Sequence, residues 1–241
     1  MKRTTLAIAV ASVFTFAGAA QAQDYQMEAG FNYVDLSVDT FSDSAIGVDF
    51  TYYLETVSTQ AKPLAEAAFL GRNSNLGASY LTYDELDVDT LTLSGEFWFE
   101  DIYVNADYAS SDDADDVSLN LGYMFKDGLL GYVGIIDADG VEETTLLLGT
   151  KYVAPMGESY IAFEGELLTN DGDNIISLSG DYFINNALSV GARMAESDVE
   201  GVETTWGLGA NYFIQPNISA GIEYTTQDEL DIVMLRVAAR F

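Results

Sequence analysis

The chemistry open to this chain is carried almost entirely by carboxylates. Its 241 residues hold 39 Asp and Glu against 9 Lys and Arg, with no His and no Cys, for a formal net charge of −30. Without His the commonest general base and transition-metal ligand is missing. Without Cys there is no thiolate nucleophile, no thiolate metal site and no disulfide framework. Glu164 and Glu166 lie on one face of an extended segment, as a carboxylate pair for acid–base work would. They read more simply as part of a polar wall. The expectation is therefore a protein that is not an enzyme, with no cofactor and no bound metal. Binding to nucleic acid needs a basic face, and the charge excludes it. The chain is nevertheless 49% hydrophobic and 12% aromatic, too apolar for a solvated acidic coil.

Position separates the acids into two groups. Twenty-three fall in seven segments, around Asp39–Asp43, Asp84–Asp89, Asp112–Asp116, Asp137–Glu143, Asp171–Asp173, Glu196–Glu203 and Asp228–Asp231. After the first interval these segments recur every 27–31 residues. Between them lie tighter, less charged breaks around Glu100-Asp101, Lys126-Asp127-Gly128, Pro155-Met156-Gly157, Asn185-Asn186 and Gln215-Pro216-Asn217. The stretches joining the two kinds of break alternate in type. Leu91, Leu93, Phe97 and Phe99 alternate with Thr92, Ser94, Glu96 and Trp98, and Val117, Leu119, Leu121 and Tyr123 with Ser118, Asn120, Gly122 and Met124. A period of two is the signature of strands, and no stretch holds a sustained helical period. One repeat is then one hairpin, and seven acidic connections imply about 14 strands, with 12 or 16 as alternatives. The stretch Glu55–Pro63 supplies the first tight turn, and one long strand follows to about Tyr83. Apolar parity flips near Arg72–Asn75, which predicts a bulge there.

These strands fit a closed antiparallel transmembrane β-barrel. Tyr33, Tyr52, Tyr83, Phe99, Tyr108, Phe125, Tyr152, Tyr182, Tyr212 and Tyr224 lie near strand ends on the apolar face, as interfacial girdles do. Strands in hydrocarbon must close, because an open edge leaves backbone groups unpaired at several kcal/mol each. The opposite face then lines a lumen. It receives Glu28, Asp49, Glu66, Glu96, Asp107, Glu164, Glu166, Asp181 and Glu223, together with Arg72, Lys151, Arg193, Arg236 and Arg240. Opposed acids and bases on that wall would filter ions by a transverse field or would brace the barrel with ion pairs. The acidic rim would concentrate cations, so weak cation selectivity is expected. Inward aromatics such as Trp98, Tyr103 and Phe213 are candidates for solute stacking or for lumen packing.

Met1-Lys2-Arg3, the apolar run Leu6–Phe16 and Ala20-Gln21-Ala22 have the order of a cleaved signal peptide, with the cut after Ala22. Its removal takes two bases and no acid, moving the net charge from −30 to −32. Residues 23–241 form a single barrel domain.

With its leader, its alternating strands and its terminal Phe241, the chain resembles outer-membrane porins of Gram-negative bacteria. The segment Lys62-Pro63-Leu64-Ala65-Glu66-Ala67-Ala68-Phe69-Leu70 is similar to one in a family of general bacterial porins. The chain is shorter than the large trimeric porins and has no long third loop with an acidic constriction. The resemblance implies passive diffusion of ions and small hydrophilic solutes and reads Phe241 as the signal for the barrel-assembly machinery. Expected partners are outer-membrane lipid, lipopolysaccharide and further copies of the chain itself in a homo-oligomer. A structural or adhesive barrel with a largely closed lumen is the alternative.

Overall fold

The structure, a computed structural model, describes residues 24–112 and 114–241; the expected signal peptide lies outside the described residues. Fourteen strands follow one another: β1 (Tyr25–Val38), β2 (Phe41–Val57), β3 (Asn75–Tyr83), β4 (Asp89–Phe99), β5 (Ile102–Ser111), β6 (Asp115–Lys126), β7 (Leu129–Ala138), β8 (Thr145–Met156), β9 (Ser159–Asn170), β10 (Asp173–Asn185), β11 (Leu188–Ser197), β12 (Thr205–Gln215), β13 (Ile218–Gln227) and β14 (Leu230–Arg240). Each pairs with its neighbour in sequence, and β14 pairs with β1 to close the barrel. The closing register runs from Glu28 opposite Arg240 to Val38 opposite Leu230. At the seam the carbonyl of Phe241 accepts from Gln26 N at 2.6 Å and Met27 N at 3.1 Å, so the last residue completes the ladder. No edge is left to face lipid.

The expected alternation sets the two faces. Phe31, Val48, Leu119, Leu121, Leu148 and Leu208 are exposed on the outside, where lipid would cover them. Tyr33, Tyr52, Phe99, Tyr108, Phe125, Tyr182, Tyr212 and Tyr224 join them, as the girdle expectation requires. Tyr83 does not. It lies on the inner face, packed with Leu81 against Val34, Ala45, Leu230 and Ile232. An apolar inner patch at the acidic end was not expected from a wall otherwise rich in small and polar residues.

Five of the connections at the less acidic end are two residues long, at 100–101, 127–128, 157–158, 186–187 and 216–217. The acidic connections are also short, from two residues at 39–40, 171–172 and 228–229 to seven at 198–204. Strands run on into the acidic segments, so Asp43, Asp89, Asp115, Asp137, Asp173, Glu196 and Asp231 are strand residues rather than loop residues. The chain reverses tightly there because Asp171 and Gly172 both take positive φ, 47° and 96°, the backbone a two-residue hairpin of the right twist demands. Polar clamps order the longer connections. Asp198 accepts from the Asn174 amide N at 2.5 Å and from Asn174 Nδ2 at 2.8 Å. These bonds hold its carboxyl below the usual range, the backbone amide contributing most.

The stretch between β2 and β3 departs from expectation. It is not a turn followed by one long bulged strand. A 3-10 turn, Leu64–Glu66, leads into a short helix, α1 (Ala67–Gly71), which ends on Arg72 in the left-handed conformation at φ 51°. The parity flip at Arg72–Asn75 marks the end of this helix and the start of β3. The register irregularities fall elsewhere, in β2 where it pairs with β1 and in β6, β10 and β12, all at the same end of the barrel as this segment.

Candidate functional site

The segment between β2 and β3 turns inward and fills that end of the barrel. Phe69 packs among Trp98, Met124, Leu130, Val153, Ala162 and Phe183, contributed by β4, β6, β7, β8, β9 and β10. Leu64 packs on Phe213, and Ala67 on Tyr25 and Val57. The plug is thus wedged against most of the circumference. Burying one Leu or Phe side chain is worth roughly 1.5–3 kcal/mol, so these contacts hold it firmly. Polar bonds add to them. Arg240 Nη1 donates to the Leu64 carbonyl at 3.0 Å, Tyr160 to the Ala61 carbonyl at 3.0 Å, and the Trp98 amide to Ser74 Oγ at 2.9 Å. Burial pushes the Lys62 ammonium at the start of the segment below its ordinary value, with Asp24 opposing.

On the inner wall the structure assembles the expected charges into three clusters. In the first, Glu28 accepts from Arg240 Nε and, at 2.9 Å, from Arg236 Nη2. Arg236 also reaches Asp49 at 2.5 Å. Arg236 is on β14 and Asp49 on β2, and they meet across Gly30 of β1, where any Cβ would collide with the Asp49 carboxylate. Arg240 stacks over Tyr25 at 4.4 Å and Phe213 at 4.5 Å. In the second cluster Lys151 holds Glu66 at 3.0 Å and Glu164 at 2.6 Å and lies 5.0 Å from the Phe69 ring centroid. It therefore ties β8 and β9 to the plug. In the third Arg193 sits 3.4 Å from Glu223 and 3.7 Å from Asp181.

Two residues differ from the strand positions the sequence suggested. Glu66 is in the 3-10 turn inside the barrel, not on a wall strand. Arg72 caps α1 and reaches out to the turns, to Asp127 at 2.9 Å and Asp101 at 3.1 Å, rather than standing on the wall between strands. Its partners are exposed.

Glu96, Asp107 and Glu166 have no Lys or Arg within ion-pair distance among the described residues; neutral donors hold them. Trp98 Nε1 donates to Glu96 at 3.0 Å, Ser118 Oγ to Asp107 at 3.1 Å, and Tyr132 OH to Glu166 at 2.6 Å. Tyr132 reaches Glu166 by lying along the wall over Gly149 of β8, where a Cβ would overlap its ring. The sequence reading missed the plug and Tyr132. The plug did carry a signal: Pro63 at its start, the helix formers Ala65-Glu66-Ala67-Ala68, and Gly71 at its end.

The sequence profile of the family described as "Putative general bacterial porin" matches residues 1–154 and 130–236. The outer-membrane protein Omp33 of Acinetobacter baumannii superposes with a TM-score of 0.80 at 28% identity, over 92% of this chain and 100% of that one. A triple mutant of the Rhodopseudomonas blastica porin superposes with a TM-score of 0.52 at 12% identity, over 89% and 100% of the two chains, a likeness of fold. The KdgM porin, solved with disordered oligogalacturonate, gives 0.50 at 7% identity over 88% and 99%. Curated protein sequences return no match. The matched profile spans nearly the whole chain, and the closed fourteen-stranded barrel agrees with it: the chain belongs to the general bacterial porin family, β-barrel proteins of the outer membrane.

Proposed function

We propose that this protein is a channel for passive diffusion of ions and small hydrophilic solutes, weakly cation-selective, whose conductance is set by the segment between β2 and β3. The short turns, the termini and this segment face the periplasm, and the acidic rim faces outward, as in bacterial barrels with short periplasmic turns. The signal peptide ending at Ala22 belongs to the same reading, as does assembly through Phe241, and the protein is no enzyme. The observation that carries the proposal is the inner wall. Eight of the expected carboxylates on that wall, with Glu66 of the plug, face four bases, Lys151, Arg193, Arg236 and Arg240, and each base is paired. The bases therefore cannot attract anions, and the surplus of inner carboxylates, with the acidic rim, favours cations.

A structural or adhesive barrel with a closed lumen is the second reading, and the packed plug favours it. Single-channel recording of the purified protein in planar bilayers, with solute flux into liposomes, separates the two. Discrete cation-preferring openings support the channel. Absence of current and of flux, in the wild type and in variants with a loosened plug, supports the closed barrel.

A further inference from the structure

We infer that the lumen holds a binding site for solutes bearing a protonated amine or guanidinium, on the wall of β4–β9 directly above the plug. The site gives a substrate class to the solute path proposed above and rests on that reading.

The inner charges are segregated around the barrel. Every base on the wall stands on β8, β11 or β14 and is paired. The inner faces of β4–β7 hold Glu96, Asp107 and, toward the acidic end, Asp116, and no base; on β8 and β9 Lys151 is taken up by Glu164 and by Glu66 of the plug, and Glu166 closes the sector. Glu96, Asp107 and Glu166 are bonded only to neutral donors and remain partly open to the lumen. Carboxylates fixed in this way keep lone pairs for a cationic donor, since an ionised carboxylate accepts about four hydrogen bonds.

Two further observations point to a ligand rather than to a solvated acidic face. Asn120 is only 8% exposed, donates Nδ2 to Asn105 Oδ1 at 2.7 Å, and leaves its own Oδ1 without a donor. A buried acceptor left bare is costly, and this one belongs to the chain Asn120–Asn105–Asp107 that lines the sector. The second is a row of aromatic rings along one register line. Trp98 is opposite Tyr103, Tyr103 opposite Gly122, Gly122 opposite Tyr132, Tyr132 opposite Gly149, and Gly149 opposite Glu166. Ring centroids are 4.9 Å apart for Trp98–Tyr103 and 6.2 Å for Tyr103–Tyr132. Trp98 is itself buried beside Phe69, so the partly open faces are those of Tyr103 and Tyr132; an ammonium or guanidinium is drawn to such faces, and carboxylates at the two ends of the row would take its protons. Neutral sugars also stack on aromatic rows, but they gain little from uncompensated carboxylates.

The chain has two Trp, and Trp206 lies exposed on the lipid-facing side. A Trp206→Phe variant therefore leaves Trp98, bonded to Glu96, as the sole indole reporter. The detergent-folded variant is titrated with L-arginine methyl ester, maltose and sodium acetate at constant ionic strength. We expect a saturable change in Trp98 emission with the ester alone, and a midpoint at least tenfold weaker when Glu96→Gln and Glu166→Gln are added. Asp107→Asn, which keeps its hydrogen-bonded neighbours, should weaken the midpoint by itself. No saturable response to the ester, an equal response to maltose, or midpoints unmoved by these substitutions would overturn the site. Binding is read without current, so its failure is distinct from failure of the channel reading, which only conductance tests.

Discussion

Replacing Phe69 by Ala should free the plug while leaving the barrel wall intact. Phe69 is 9% exposed and fills the centre of the cluster formed by Trp98, Met124, Leu130, Val153, Ala162 and Phe183. Truncating a buried Phe costs about 3–5 kcal/mol, because transfer energy and cavity terms add. Here the Lys151 ammonium over the ring and the edge contact with Trp98 at 6.1 Å are lost as well. None of the strand-to-strand ladders passes through α1, so the cost falls on the plugged state and not on the barrel. At the low end, about 3 kcal/mol corresponds to roughly a hundredfold shift toward the displaced plug, given tenfold per 1.4 kcal/mol. Single-channel recording should show open time per molecule rising by about two orders of magnitude over the wild type. Val48→Ala, on the lipid-facing side, serves as the control and should leave gating unchanged. If Phe69→Ala folds normally by circular dichroism and its open time matches the wild type, the plug does not set conductance and the reasoning fails.

Arg72→Ala should loosen the plug less, because its partners Asp101 and Asp127 are largely exposed and such pairs are worth about 0–1 kcal/mol each; open time should rise at most about thirtyfold, given tenfold per 1.4 kcal/mol, fading in high salt. Lys151→Met strands Glu66 and Glu164 and should destabilise the fold by about 3–5 kcal/mol in urea unfolding from lipid, with Glu66→Gln and Glu164→Gln recovering most of the loss. Gly149→Ala places a methyl where the Tyr132 ring lies, separates Tyr132 from Glu166, and should cost about 1–3 kcal/mol in the same assay; Tyr132→Phe should not relieve it, because the ring carbons lie nearer the added methyl than the hydroxyl does. The share of cation preference due to the exposed rim should fall steeply between 0.1 M and 1 M salt, as the screening length drops from about 10 Å to about 3 Å; neutralising Glu203 and Glu200 should therefore matter only at low salt.

The barrel was legible because a lipid-facing strand obeys a strict rule. Leu119, Leu121 and Tyr123 must face out, so Asn120 and Gly122 face in, and the same rule placed Glu28, Asp49, Lys151, Arg193, Arg236 and Arg240 on one face. The rule fails where the chain leaves the wall. Ala67 and Phe69 are as apolar as any lipid-facing pair, yet they are buried inside the barrel. Their alternation with Glu66 and Ala68 imitates a strand, and only Pro63 and Gly71 mark a helix instead. Tyr83 was misplaced for the same reason, since its face was counted through a strand that does not exist. Pairing partners were beyond period-two reading altogether. That Arg72 reaches Asp127, or that Tyr132 crosses Gly149 to Glu166, depends on which strands are neighbours and on the space glycines leave between them.

The central claim, a cation-preferring channel whose conductance the plug controls, is tested most directly by the zero-current potential across a planar bilayer under a tenfold KCl gradient. It should be measured on the wild type and on Phe69→Ala. The account predicts a potential of the sign set by K⁺ permeation in both, with more frequent openings in the variant. A potential of the opposite sign, or no current from either protein, would contradict it.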